Sequence, residues 1–202
     1  MANTQGNDVM ALDALIIGAG VSGIYQLYRL RKLGLAARAF EAGGGVGGTW
    51  YWNRYPGARF DSESYSYAYS FSDGLLKEWN WKEHYSAQPE NEQYLNFVVD
   101  KFDLRPHIEL NARIKSAVYD KATGRWNVET ESGLSATTQF LSSAVGILSA
   151  TNMPNIPGIG TFAGESFTHL PLAARAGGLQ RQTCRRDRHR RDGRAVDPAN
   201  RA

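Results

Sequence analysis

Apolar positions fall into short runs of two different periods along most of the chain. Ala14 to Ile17 is unbroken and apolar, which predicts a buried strand, and it stops at Gly18-Ala19-Gly20-Val21-Ser22-Gly23. Ile24, Leu27, Tyr28 and Leu30 then recur at helical spacing until Gly34 offers a C-terminal stop. A second short strand, Ala36 to Phe40, ends at Glu41. Beyond Pro89, residues Glu90 to Phe102 carry Tyr94, Leu95, Phe97, Val98 and Phe102 on one helical face. Alternation on both sides of Ala122-Thr123-Gly124 predicts a hairpin within a small meander at roughly Ala112 to Glu131. The stretch TTQFLSSAVGILSATNMPNIPG predicts a returning buried strand with a Pro/Gly-rich exit. Strand, helix and strand in this order predict a Rossmann-like α/β domain with a parallel sheet, joined by the small β-meander.

The first glycine run has chemistry as well as shape. Gly18 allows the tight turn out of the strand, Gly20 lets the backbone approach a pyrophosphate, and Gly23 lets the helix pack close to the sheet. Together with Val21 and Ser22 they form the start of a helix, whose N–H groups and positive dipole end suit phosphates. Glu41, about 20 residues beyond the glycines, stands where an acid accepts hydrogen bonds from ribose hydroxyls. A carboxylate there favours an unphosphorylated ribose, as in FAD or NAD, over that of NADP.

With 42% hydrophobic and 11% aromatic residues, the chain can bury a core and is not disordered throughout. The formal net charge of +3 averages two unlike parts. Residues 1–168 hold 14 Lys+Arg against 17 Asp+Glu, whereas residues 169–202 hold nine Arg, no Lys and three Asp. The single cysteine, Cys184, lies in that second part, which leaves the body without a disulfide or a thiolate metal site. The N-terminus MANTQGNDVM has no basic n-region, and Asp13 and several glycines interrupt the apolar run after it. Neither a signal peptide nor a membrane span is expected, so the location expected is cytoplasmic. His84 and His107 have no carboxylate or second histidine at ligand spacing, so no metal site is expected.

After Glu41 the sequence does not continue into another plain strand–helix unit. It gives EAGGGVGGTWYWNRYPGARFDSES, where Gly47-Gly48 lets the main chain pass close to a ligand and Trp50, Tyr51, Trp52 and Tyr55 follow. These aromatics suit the wall of a planar ring system, and Trp50 and Trp52 equally suit core anchors. This string, the Gly18–Gly23 fingerprint, Glu41 and the later FSDGLLKEWNWKEHYSAQPENEQYLNFVVDKFDL resemble the bacterial Baeyer–Villiger monooxygenases, the cyclohexanone and phenylacetone monooxygenase group. The resemblance runs from about Asp13 to Phe167, and the GGTWYWNRYPGARFD string is its most specific part.

The resemblance implies an FAD-binding domain over residues 13–167, after a flexible N-terminus at 1–12. It puts Gly18, Gly20 and Gly23 at the FAD pyrophosphate, Glu41 at the adenosine ribose, and Gly48, Thr49, Trp50 and Trp52 along the flavin. Asp61 matches an aspartate that helps to position a catalytic arginine, which no residue here supplies. Enzymes of the group use NADPH to reduce FAD and insert an oxygen atom from O2 beside a ketone carbonyl. Relative to them the chain is expected to lack the NADPH domain and to be inactive as written. Where their strand ends in Ala-Thr-Gly, this chain has Ala144-Val145-Gly146, without the hydroxyl. Two other readings remain: an N- or S-oxidising flavin monooxygenase, against which the WYWNRYPGARFD string argues, and a non-catalytic FAD-binding fragment or decayed gene product.

The segment RQTCRRDRHRRDGRAVDPANRA, Arg181 to Ala202, is dense in arginine but lacks interleaved aromatics or a defined nucleic-acid motif, so no nucleic-acid partner is expected. The family pattern F-x-G-x-x-x-H-x-x-x-W-P fits Phe162 and Gly164 and then fails, with Thr168 at the histidine position. A slipped reading frame explains both features. With codons chosen to suit, Arg181 to Ala202 read one base later permits a strand, a second glycine fingerprint (G-T-G-A-T-G) and a helix start. The stretch from Thr168 likewise permits H-T-S-R-W-P. One inserted base after the Phe167 codon would account for both, and residues 168–202 are then expected to be an aberrant tail.

Overall fold

The apolar run at residues 14–17 is the inner half of a longer strand, β1 (Met10–Ile17). The computed structural model describes residues 9–149, 152, 154–161 and 163. The expectations for Gly164, Phe167, Cys184 and the basic segment 168–202 lie outside these. Residues 10–12, expected within a flexible N-terminus, are instead paired in register with Ala136–Thr138. Asp13 interrupts the apolar pattern without breaking the strand, because its carboxylate accepts the Ala36 N–H at 2.8 Å and its own N–H reaches the Ala36 carbonyl at 2.9 Å.

Helix α1 (Val21–Lys32) follows β1 and turns Gly23, Ile24 and Leu27 inward. Arg29, Arg31 and Lys32 crowd its last turn, where cations complement the negative dipole end. Its stop is a Schellman motif: the Leu35 N–H reaches the Leu30 carbonyl and the Gly34 N–H the Arg31 carbonyl, with Gly34 at φ +80°. β2 (Ala37–Phe40) comes next, then three short helices, α2 (Thr49–Trp52), α3 (Ser64–Tyr67) and α4 (Asp73–Glu78). Helix α5 (Gln88–Lys101) begins one residue before Pro89, two residues earlier than its apolar face suggested. A 3-10 turn at Arg105–His107 leads into the two-residue β3 (Ile108–Glu109). β4 (Ile114–Asp120), β5 (Arg125–Thr130) and β6 (Ser135–Ser143) complete the strands.

The six strands among the described residues form one sheet in the order β3-β2-β1-β6-β5-β4. β3, β2, β1 and β6 run parallel, while β6, β5 and β4 are antiparallel. The meander is therefore not separate, because β6 is at once its last strand and the parallel partner of β1. The hairpin turn lies where the alternation placed it: Asp120 accepts from the Ala122 N–H and the Thr123 hydroxyl, and Gly124 takes φ +66°. Leu12, Leu15, Phe40, Ala112, Val128 and Ala136 form a buried apolar cluster on the sheet. β6 is less buried than expected. Ala136 and Thr138 are enclosed, but Phe140 is 57% exposed, because β5 pairs with β6 only as far as Thr138.

The chain divides into two compact units. One contains the described residues up to Tyr51 together with Leu95–Ile147, and the other Trp52–Tyr94 with the described residues from Leu148. The first holds the sheet. The second is fastened by a buried polar knot of Ser64, Ser86 and Asn91. The Ser64 hydroxyl accepts the Ser86 N–H at 2.9 Å, the Ser86 hydroxyl donates to Asn91 Oδ1, and the Asn91 amide donates to the Ser86 carbonyl. Beside it, Tyr94 packs against Trp79 and Trp81 with ring centroids 5.4 and 4.9 Å apart, and its hydroxyl accepts the Tyr69 N–H at 2.7 Å. Among the described residues no helix is long and apolar enough to cross a membrane, and no three His, Cys, Asp or Glu residues cluster as metal ligands.

The buried tyrosines set an alkaline limit on stability. Burial pushes Tyr94 up to about 12 and Tyr69 higher still. Both phenols must stay neutral in the fold, while in the unfolded chain they ionise near the ordinary value of 10.0. Stability is therefore whole below pH 10 and is lost as the pH rises from 10 through about 12. Denaturant unfolding followed by circular dichroism across that range is expected to show the midpoint falling, and a flat midpoint would contradict the burial of these hydroxyls.

Candidate cofactor-binding site

The turn out of β1 is built by close backbone approach. Gly18 has φ +102°, and a Cβ there would lie 2.8 Å from the Ala144 carbonyl oxygen just beyond β6. A Cβ on Gly23 would overlap the Gly18 carbonyl oxygen, so helix α1 can leave the strand at this angle only with glycine. The packing role expected for Gly23 is thus visible as a steric fact. Gly20 has a tertiary role that the local pattern did not show. A Cβ on it would lie 3.3 Å from Gly48 Cα, and one on Gly48, which has φ +53°, would lie 2.8 Å from Gly20 Cα.

The two glycine loops therefore meet backbone to backbone. The Gly47 N–H donates to the Ala19 carbonyl at 3.0 Å and joins them. The second loop is shaped around Tyr51: its hydroxyl accepts the Gly44 N–H at 3.1 Å, and a Cβ on Gly45 would lie 2.7 Å from its ring. Tyr51, expected with its neighbouring aromatics to wall a planar ring system, is the post of this loop.

Glu41 ends β2 in a buried position, 4% exposed. Its Oε2 accepts the Ala19 N–H at 2.7 Å and its Oε1 the Gly43 N–H at 2.8 Å. Gly20 is the N-cap of α1, with no side-chain cap and no acidic residue in the first turn. Gly18, Gly20, Val21, Ser22, Gly23, Glu41, Gly48 and Thr49 are all in the sheet unit, around one turn and one loop. Trp50 belongs to the same unit and is 6% exposed, in keeping with a core anchor.

Trp52 and Asp61 belong to the second unit. Trp52 closes α2 half-buried, and Asp61 is exposed and without a hydrogen bond or ion pair among the described residues. Asn53, next to Trp52, is buried with no partner for its Oδ1 among the described residues. His84 is engaged locally, with Nδ1 2.9 Å from the Tyr65 hydroxyl and Nε2 3.2 Å from Glu63. Burial and the neighbouring Arg31 and Arg38 cations hold His107 below its ordinary value.

These features fit a dinucleotide. A helix start with no competing acid, a glycine turn and a buried acid at the end of the next strand give donors for phosphate and an acceptor for ribose. Val145 is exposed at the end of β6, so the missing hydroxyl leaves an apolar side chain there.

Comparison with known proteins agrees. Residues 16–74 match the NAD(P)-binding Rossmann-like domain family. An acetone monooxygenase (methyl acetate-forming) from Gordonia sp. (strain TY-5) is 49% identical over 154 residues, 76% of this chain and 29% of that protein. A phenazine N-monooxygenase from Lysobacter antibioticus is 47% identical over 160 residues, 79% of this chain and 30% of that protein. A closed crystal structure of cyclohexanone monooxygenase superposes with a TM-score of 0.72 at 47% identity, covering 78% of this chain and 30% of that one. The chain thus spans about three tenths of the length of the relatives it matches.

Proposed function

We propose that this chain, a homologue of the N-terminal part of Baeyer–Villiger and related flavin monooxygenases, is the FAD-binding portion of an NADPH-dependent enzyme that inserts oxygen beside a ketone carbonyl. One observation carries this reading: the phosphate turn, the acid at the end of β2 and the second glycine loop are already assembled through mutual backbone contacts. When bound, FAD supplies the redox chemistry, taking electrons from NADPH and passing them to oxygen.

The chain's own residues bind and orient. The N–H groups opening α1 would hold the pyrophosphate, where the positive end of the helix dipole favours anions. Each Glu41 oxygen keeps a second lone pair with which to accept from a ribose hydroxyl. Gly48, Thr49 and Trp50 in the sheet unit, and Trp52 in the second unit, are the residues that would hold the flavin portion of FAD. Asp61, whose carboxylate is exposed, is the group that would orient an arginine toward developing negative charge. The setting is cytoplasmic, and the partners are a ketone and oxygen.

Titrating the purified chain with FAD tests this directly. Saturable one-to-one uptake with quenched flavin fluorescence is expected, and a chain that stays colourless in excess FAD would remove the reading. A second reading has support from the phenazine N-monooxygenase relative, because its identity to this chain is within two percentage points of the acetone enzyme's. Oxygen insertion at nitrogen or sulfur would appear as NADPH oxidation stimulated by an N-heterocycle or a sulfide but not by a ketone, measured on the whole protein that carries this segment. FAD uptake with no turnover of any of these would leave a non-catalytic binding unit.

A further inference from the structure

We infer that Glu41 is a positioning residue that locks the phosphate turn and the second glycine loop together before any ligand arrives. Its carboxylate is buried, and no ion pair among the described residues offsets its charge. What offsets it is a pair of backbone donors, one from each loop: Ala19 N–H on Oε2 and Gly43 N–H on Oε1. Such charge-assisted bonds are about twice as strong as neutral ones.

The need runs in both directions. Ala19 is fully enclosed and follows Gly18, whose φ of +102° bends the chain away from the strand ladder. Its N–H therefore finds its acceptor in a side chain. Gly43 is likewise buried, at the start of the second loop. The main chain around Glu41 is fixed as well, since its N–H donates to the Glu109 carbonyl and its carbonyl accepts the Ala112 N–H, both at 2.8 Å. A rigid strand end thus carries a two-pronged acceptor that reaches both loops, and the Gly47–Ala19 bond and the Gly20–Gly48 contact close the same junction.

Glutamine keeps the length but offers one acceptor oxygen and one NH2, so one of the two amides would face another donor. Aspartate is one methylene short and cannot span both. The charge itself makes the test sharp. If Glu41 acted on phosphate only through its negative charge, Glu41→Gln would tighten anion binding, because a like charge is removed. If it holds the turn in shape, the same change weakens anion binding.

Two measurements decide it. The first is amide hydrogen exchange of the ligand-free chain by NMR, which does not depend on the FAD reading. Ala19 and Gly43 are expected to be as protected as the inner residues of β1. In Glu41→Gln at least one of them is expected to exchange about 10- to 100-fold faster, with Leu15 and Ile16 unchanged. Fast exchange of either amide in the unsubstituted chain would overturn the inference, as would full protection of both in the variant. Should Glu41→Gln fail to fold, Glu41→Asp is read in the same way.

The second measurement rests on the phosphate-binding reading and uses inorganic pyrophosphate, which has no ribose, as a competitor of FAD. Its inhibition constant is expected to rise several-fold in Glu41→Gln, and an unchanged or lower constant would refute the positioning role. Protected amides in a chain that binds neither FAD nor pyrophosphate would leave the lock standing and remove the proposed function.

Discussion

Replacing Gly23 by alanine is expected to destabilise the chain by about 3 kcal/mol or more and to abolish FAD uptake. Two effects oppose each other at this position. Alanine is the better helix former by about 1 kcal/mol, and Gly23 lies in the first turn of α1. Against that gain, the new Cβ would overlap the Gly18 carbonyl oxygen, which is backbone and cannot swing aside. The overlap wins because relief requires moving either the helix start or the strand end. Moving the helix would also withdraw Ile24 and Leu27 from the core. Chemical denaturation followed by circular dichroism measures the effect. A variant as stable as the parent would mean that α1 leaves the strand by a different path.

At Gly48 the expected loss is in ligand binding more than in stability. Alanine there carries two penalties: a left-handed backbone at φ +53°, costing about 1–2 kcal/mol for a residue with a side chain, and a Cβ 2.8 Å from Gly20 Cα. Relief comes from retreat of the loop, which leaves the packing of β1 against α1 in place, so the fold is expected to survive. Retreat would part the two loops, and FAD affinity is expected to fall at least tenfold, which is about 1.4 kcal/mol. Gly34→Ala is the matched control. Gly34 has φ +80° but nothing within 4 Å of an added Cβ, so it incurs the backbone cost without the collision. Equal FAD affinities in the two variants would show that the contact between the loops does not matter. Gly20→Ala combines a milder approach of 3.3 Å to Gly48 with a Cβ facing the pyrophosphate, so its FAD affinity is also expected to fall well below that of the Gly34 control.

These cases mark how far the sequence could be read. The β1–turn–α1 unit was legible because its signals are local: an apolar run, glycines at fixed offsets, a helical period and a stop at Gly34. The β4–β5 hairpin was legible for the same reason, through Asp120 and Gly124. Long-range meetings were not. Nothing near Gly20 announces Gly48, 28 positions on, and Tyr51 gives no sign that it will be a post rather than a wall. Ser64, Ser86 and Asn91 look like surface residues in the sequence, yet they are fully enclosed because Ser86 bonds both Ser64 and Asn91 and the Ser64 hydroxyl finds carbonyl acceptors at Glu83 and His84. The two-residue β3 was missed because so short a strand has no period. It exists because Ala39 and Phe40 of β2 offer it a partner. β6 was misjudged for the opposite reason, since its apolar letters do not reveal where its neighbour β5 ends.

The two rims of the sheet bear on how the molecule behaves at high concentration. A strand with an open side can template the addition of strands from other molecules, and proteins resist this by keeping such strands short, kinked or charged. Among the described residues one rim is β3, only two residues long, with Glu109 tied to Arg38 on its inner neighbour. The other rim, β4, is long enough to recruit a stranger, but its pairing shifts between Ile114 and Ser116, and Lys115 stands at the irregularity. Growth of fibrils by edge addition is thereby discouraged on both sides.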